Sequence, residues 1–140
     1  MTAPLVEVEA GTGAFAAMLG GLLQANLEAD PGKADMLRRT TGDVDIVVTD
    51  TAEEVRLRFT GVGVRVSAGP DLPADLRLLG TADVILGLST VPLRMGLPDP
   101  LSPTGRALTG RWATGGLQIH GLPRATPLLR TLLTLLSVLA

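Results

Sequence analysis

The spacing of apolar residues along this chain changes several times, and each change predicts an element. Phe15, Met18, Leu19, Leu22, Leu23 and Leu27 recur at intervals of three and four, which predicts an amphipathic helix over residues 13–29. Asp30-Pro31-Gly32 stops it, and a short second helix fits Lys33–Arg39. From Asp43 the period becomes two. Val44, Ile46 and Val48 alternate with Asp43, Asp45 and Thr49, and Val55, Leu57 and Phe59 alternate with Glu54, Arg56 and Arg58. Val64 and Val66 flank Arg65, and Leu76 and Leu78 flank Arg77. Four strands joined by links this short are expected to be antiparallel neighbours.

Clean alternation implies one buried face and one wet face. The wet face is expected to carry Asp43, Asp45, Glu54, Arg56, Arg58, Arg65, Asp75 and Arg77, with opposite charges paired across strands. Residues 82–90 read as a short helix. Residues 91–105 hold four prolines and read as an irregular crossing loop, with a turn of helix near Thr104–Leu108. A last strand is expected over Leu117–Gly121 and a final helix over Ala125–Leu139. On a helical wheel, Arg130, Thr131, Thr134 and Ser137 of that helix occupy a wedge of roughly 120°. Leucines fill the opposite arc, so the helix is buried or covers something apolar. Residues 1–12 form an arm in which Val6 and Val8 alternate with Glu7 and Glu9, either an edge strand or a frayed terminus. The fold class expected is α+β, one domain over residues 13–140 preceded by that arm.

Composition narrows the chemistry. The chain of 140 residues contains no cysteine, no tyrosine and a single histidine, His120. Disulfides, thiolate nucleophiles and Cys- or multi-His metal sites are therefore excluded. A net charge of −2 and three aromatic residues (Phe15, Phe59 and Trp112) argue against a nucleic-acid partner, which needs a basic surface or stacking platforms. Gly11-x-Gly13-x-x-Ala16 formally matches a dinucleotide fingerprint, but hairpin-linked strands follow it where alternating βαβ units would be required. No G-x-S-x-G elbow occurs, and Asp43 and Asp45 lack a third metal ligand. No catalytic constellation emerges; neither enzyme activity nor a cofactor or metal is expected.

Leucine alone accounts for 26 residues, which supplies a large aliphatic interior suited to an oily ligand. The longest apolar stretches, Ala14–Leu23 and Leu128–Leu139, fall short of the ~20 residues a spanning helix needs, so no integral membrane insertion is expected. Glu7 and Glu9 stand where a secretory signal carries positive charge, which makes the cytoplasm the default location.

The order of elements and several local stretches carry a resemblance. Val62–Gly69 (VGVRVSAG), Ala74–Leu88 (ADLRLLGTADVILGL) and Leu108–Gly121 (LTGRWATGGLQIHG), followed by an apolar helix, resemble the type-2 sterol carrier protein (sterol-binding domain) family over residues 13–139. The chain departs from that pattern in its few aromatics and lysines, its proline-rich loop and its N-terminal arm. The resemblance implies a five-stranded, mostly antiparallel sheet with helices on one face around an apolar cavity. It also implies non-catalytic binding or transfer of a sterol, fatty acid, acyl-CoA or similar lipid. The lining expected for such a cavity is Leu57, Phe59, Val64, Leu78, Ile85, Trp112, Leu117, Ile119, Leu128, Leu132 and Leu136. Arg106 or Arg111 is the candidate partner for a ligand head group. The competing reading is an interaction or accessory module, with the cavity closed and the leucine-rich C-terminal helix packed on a second copy or on an enzyme.

Overall fold

The computed structural model describes residues 5–9, 11–69, 73–94, 96–99 and 101–138. Its main sheet has six strands: β1 (Val6–Val8), β2 (Thr41–Val48), β3 (Glu53–Thr60), β4 (Val64–Ala68), β5 (Leu76–Gly80) and β8 (Leu117–His120), in the order β1-β4-β3-β2-β5-β8. A separate two-stranded ribbon joins β6 (Leu93–Arg94) to β7 (Leu97–Pro98). The described residues also form five helices: α1 (Ala14–Ala29), α2 (Pro31–Leu37), α3 (Ala82–Gly87), α4 (Pro103–Ala113) and α5 (Thr126–Leu136).

The alternation read from the sequence sets the faces. Val44, Ile46, Val48, Val55, Leu57, Phe59, Val64, Val66, Leu76 and Leu78 all point to one side and are buried beneath the helices. Leu19, Leu23, Leu37, Leu132, Leu135 and Leu136 close that core from above. α1 approaches the sheet edge at Gly20, where an added Cβ would overlap the Val8 side chain. A helix glycine costs about 1 kcal/mol relative to alanine, and here it lets the helix backbone sit on β1.

Three expectations need correction. The sheet has six strands instead of five, because Val6–Val8 of the arm pairs in parallel with Val64–Val66. The four central strands are not all antiparallel neighbours: β5 leaves β4 and pairs in parallel with β2, Val44 beside Leu76 and Ile46 beside Leu78. A period of two fixes which face a residue occupies but not which strand lies beside it. Ala68 and Leu78 are level, both registered through Val55 and Ile46. The link over residues 69–75 therefore has mainly to cross three strand spacings, about 14 Å, which seven residues reaching roughly 3.3 Å each can span. Finally, residues 91–105 are not wholly irregular. They contain the β6–β7 ribbon and the start of α4, which runs on to Ala113; the Ser102 hydroxyl caps it by accepting from the Gly105 N–H at 2.9 Å.

The outer face of the sheet is a charge ladder, but it is not uniformly wet. Asp45 and Arg56 are each only 4% exposed. The Arg56 Nε and Nη2 donate to the two Asp45 oxygens at 2.6 and 3.1 Å. Arg58 pairs with Asp43 at 3.0 Å, and Arg65 with Glu7 at 3.4 Å.

Candidate functional site

Between the helices and the β5–β8 edge of the sheet, the two layers do not close. A cavity of about 310 Å³ lies there, bounded by thirteen of the described residues. Its floor is Leu78 of β5 and Leu117 of β8, with Leu88 following α3 and Leu133 of α5, all buried. Leu129 and Thr126, one face of the first turns of α5, form one wall. Leu108, Thr109 and Trp112, one face of α4, form the opposite wall. Leu97 and Pro98 of the β6–β7 ribbon, Leu122 and Ile119 complete the enclosure. Trp112 is 51% exposed, which places its ring at the mouth.

Among the described residues, no charged side chain lines this space. Its two hydroxyls are already occupied: Thr109 donates to the Gly105 carbonyl at 2.9 Å and Thr126 to the Pro123 carbonyl at 2.7 Å. Apart from the Trp112 indole N–H, the described side chains of the wall offer no uncommitted hydrogen-bond donor. Such a wall gains nothing from a polar guest, whereas an apolar guest loses nothing by entering.

The structure brings four residues of the expected lining together here, Leu78, Trp112, Leu117 and Ile119. Leu57, Phe59, Ile85, Leu132 and Leu136 are in the buried core and do not border this cavity, and Val64, also buried, borders a separate depression at the β1–β4 edge. Leu128 faces a different depression, of about 760 Å³, walled by Arg39, Asp75, Arg124 and the backbone of Gly42 and Gly121. That depression is open and as much apolar as polar, and lies on the other side of the first turns of α5. Arg106 and Arg111 are exposed on α4 and do not border the cavity.

Sequence reasoning missed Leu88, Leu97, Leu108, Leu122, Leu129 and Leu133. The signal for two of them lay in α5, where Leu129 and Leu133 sit four residues apart on the same face as Thr126. Leucines surround that helix on several sides, so periodicity alone does not say which stripe faces the gap.

Among the described residues, no group of three His, Asp or Glu side chains could hold a metal ion. No helix among them is long and apolar enough to cross a membrane.

No protein-family model and no curated protein sequence matches the chain. Solved structures do. One is described as "UbiJ-SCP2 Ubiquinone synthesis protein": TM-score 0.60 at 18% identity, covering 87% of this chain and 91% of that one. Another is the solution structure of a conserved hypothetical protein from Thermus thermophilus, described as possibly a sterol carrier protein. It aligns with a TM-score of 0.50 at 10% identity over 94% of this chain and 90% of that one. The chain therefore adopts the SCP2-like, sterol-carrier-protein fold.

Proposed function

We propose that this protein binds a lipid or another long apolar molecule in the cavity at the β5–β8 edge and carries or presents it without catalysing its conversion. The observation that carries this reading is the uncharged wall of a 310 Å³ space. That volume is at the lower end of ligand pockets, roughly 300–1,000 Å³. Held empty and rigid at ~24 cal/mol per Å³, it would cost roughly 7 kcal/mol, comparable with a whole domain's stability of about 5–15 kcal/mol. A guest offsets that cost, since each buried methylene gains up to ~0.8 kcal/mol before association costs.

Uptake requires one wall to yield, and α4 is the weaker one. Among its described residues only Gly105 and Leu108 are buried, and Gly105 and Gly110 both lower its intrinsic stability. Displacing α4 past Trp112 opens the space without disturbing the core beneath α1 and α2.

A second reading is an accessory module that holds an apolar substrate for a partner enzyme. The ubiquinone-synthesis description of the first structural neighbour favours it. Both readings need the same cavity to be filled. Organic-solvent extraction of the purified protein followed by mass spectrometry is expected to release a lipid. A fluorescent fatty acid is expected to bind saturably at one per chain and to be displaced by unlabelled lipid. Absence of both would overturn the proposal.

A further inference from the structure

The charge of this protein is divided along the chain in a way its net value hides. Residues 1–83 contain thirteen acidic and seven basic side chains. Residues 84–140 contain five arginines and a single acid, Asp99. Of the thirteen cavity-lining residues, all but Leu78 belong to this basic part. Elements that frame the cavity carry arginines outside its lining. α4 carries Arg106 and Arg111, the β6–β7 ribbon carries Arg94 and α5 carries Arg130, while Arg124 borders the separate depression on the other side of α5. Arg106 is three residues from Thr109 of the rim and so lies beside it. Arg130 packs beneath Gly96 of the ribbon, its Cβ 3.1 Å from where a glycine Cβ would stand.

All five arginines are exposed, and none makes an ion pair among the described residues. On the outer sheet face Arg56, Arg58 and Arg65 have carboxylate partners, and Arg77 makes no ion pair among the described residues. Two large apolar side chains stand out among the unpaired arginines. Trp112 is 51% exposed at the mouth and Leu101 is 72% exposed at the entrance to α4. Leu101 immediately precedes the Ser102 cap, where an apolar residue usually packs against the fourth helical residue. Here that residue is Arg106, so Leu101 has no staple to make.

Unpaired cations around an apolar opening, with a tryptophan and a leucine projecting between them, match the chemistry of an anionic membrane surface. We propose that the mouth face docks on an anionic lipid bilayer, with Leu101 and Trp112 at the acyl boundary and the arginines on the head groups. This rests on the cavity reading only for its purpose, which is to bring the opening against the source or destination of the guest. The docking itself rests on the charge division and the exposed apolar pair.

The test is flotation of the full chain with vesicles of phosphatidylcholine alone or mixed with phosphatidylglycerol, alongside displacement of a fluorescent fatty acid in the absence of vesicles. Wild type is expected to float only with the anionic vesicles and to be released by salt. One cation near such a surface is worth roughly five-fold in affinity, so Arg94→Glu with Arg130→Glu is expected to weaken vesicle binding at least twenty-five-fold. Leu101→Ser is expected to weaken it several-fold. Arg65→Glu, a charge reversal on the opposite face, leaves it unchanged. Fatty-acid displacement persists in the Arg94/Arg130 variant, which also reports that it is folded. No preference for anionic vesicles, equal sensitivity to Arg65→Glu, or uptake of free fatty acid with no vesicle binding at all would overturn the docking. Vesicle binding without fatty-acid uptake supports the docking and overturns the cavity reading instead.

Discussion

Lys33 of α2 and Ser137, the residue that ends α5, are joined through a buried hydrogen bond in which the Lys33 ammonium donates to the Ser137 carbonyl. The last carbonyls of a helix have no partner within it, and a cation there also meets the negative end of its dipole. Asn26 of α1 completes the arrangement, donating to the carbonyls of Leu135 and Leu136 at 2.9 Å each. Val138 donates to the Ser89 carbonyl at 2.9 Å. The C-terminal end of α5 is thus tied to three other segments, and the residues of α5 that border the cavity, Thr126, Leu129 and Leu133, precede that anchored end. Replacing Asn26 with leucine strands two buried carbonyls and is expected to cost about 2–3 kcal/mol. Lys33→Met is expected to cost about 1–3 kcal/mol for the same reason. Urea unfolding followed by circular dichroism measures both, and losses below about 0.5 kcal/mol, within the ordinary range of surface substitutions, would contradict this account of how α5 is held.

The two interior glycines of α4 predict opposite outcomes. A Cβ on Gly105 would overlap the Asp99 carbonyl, whereas a Cβ on Gly110 meets nothing within 4 Å. Gly110→Ala is expected to stabilise the protein by about 0.5–1 kcal/mol through helix propensity. Gly105→Ala is expected to destabilise it by more than that. Thermal melts of the two variants under one condition decide the matter; a Gly105→Ala protein as stable as wild type would contradict the close packing at the start of α4.

The buried Asp45–Arg56 pair predicts a contrast on the outer sheet face. Asp45→Ala removes the bidentate partner of a buried guanidinium that keeps Asp43 at 3.7 Å, and is expected to cost about 2–3 kcal/mol. Arg65→Ala removes an exposed pair with Glu7 and is expected to cost less than about 1 kcal/mol. Chemical denaturation of both separates a buried pair from a solvated one. Comparable losses would mean that Asp45 and Arg56 are as wet as their neighbours.

Filling the cavity provides a functional variant. Leu129→Phe with Leu133→Phe adds ring volume on the one face of α5 that borders the space. Stability is expected to rise by about 0.5–2 kcal/mol, as for other cavity-filling changes, while fluorescent fatty-acid affinity falls at least tenfold. Stability and affinity measured on the same preparation test this; a filled variant that binds as wild type does would place the guest elsewhere.

Much of the architecture was legible from periodicity. The faces of β2, β3, β4 and β5 follow from alternation, and α1 follows from the spacing of Phe15 through Leu27. Neighbour relations were not legible, because Leu76 and Leu78 would be buried equally well beside β4 or beside β2. The burial of Asp45 and Arg56 was hidden for a related reason: alternation assigns them to the outer face but not to what covers it. α4 was legible only as a single turn, since among its described residues Leu108 is the one large side chain that is buried. Without that helix, Leu108 and Trp112 could not be placed on one wall. Leu78, Leu117 and Ile119, which alternation turns inward on β5 and β8, do border the cavity, as does Trp112.

The central claim is that the space beneath α4 accepts an apolar guest, and Trp112 reports on it directly. It is the only tryptophan in the chain and stands half exposed at the mouth. Titration of the full chain with a long-chain fatty acid, in the absence of vesicles, is expected to shift its emission to shorter wavelength and to saturate at one molecule per chain, with no shift in the Leu129→Phe/Leu133→Phe protein. An emission spectrum that stays fixed in the folded wild type, or that shifts equally in the filled variant, would contradict the claim.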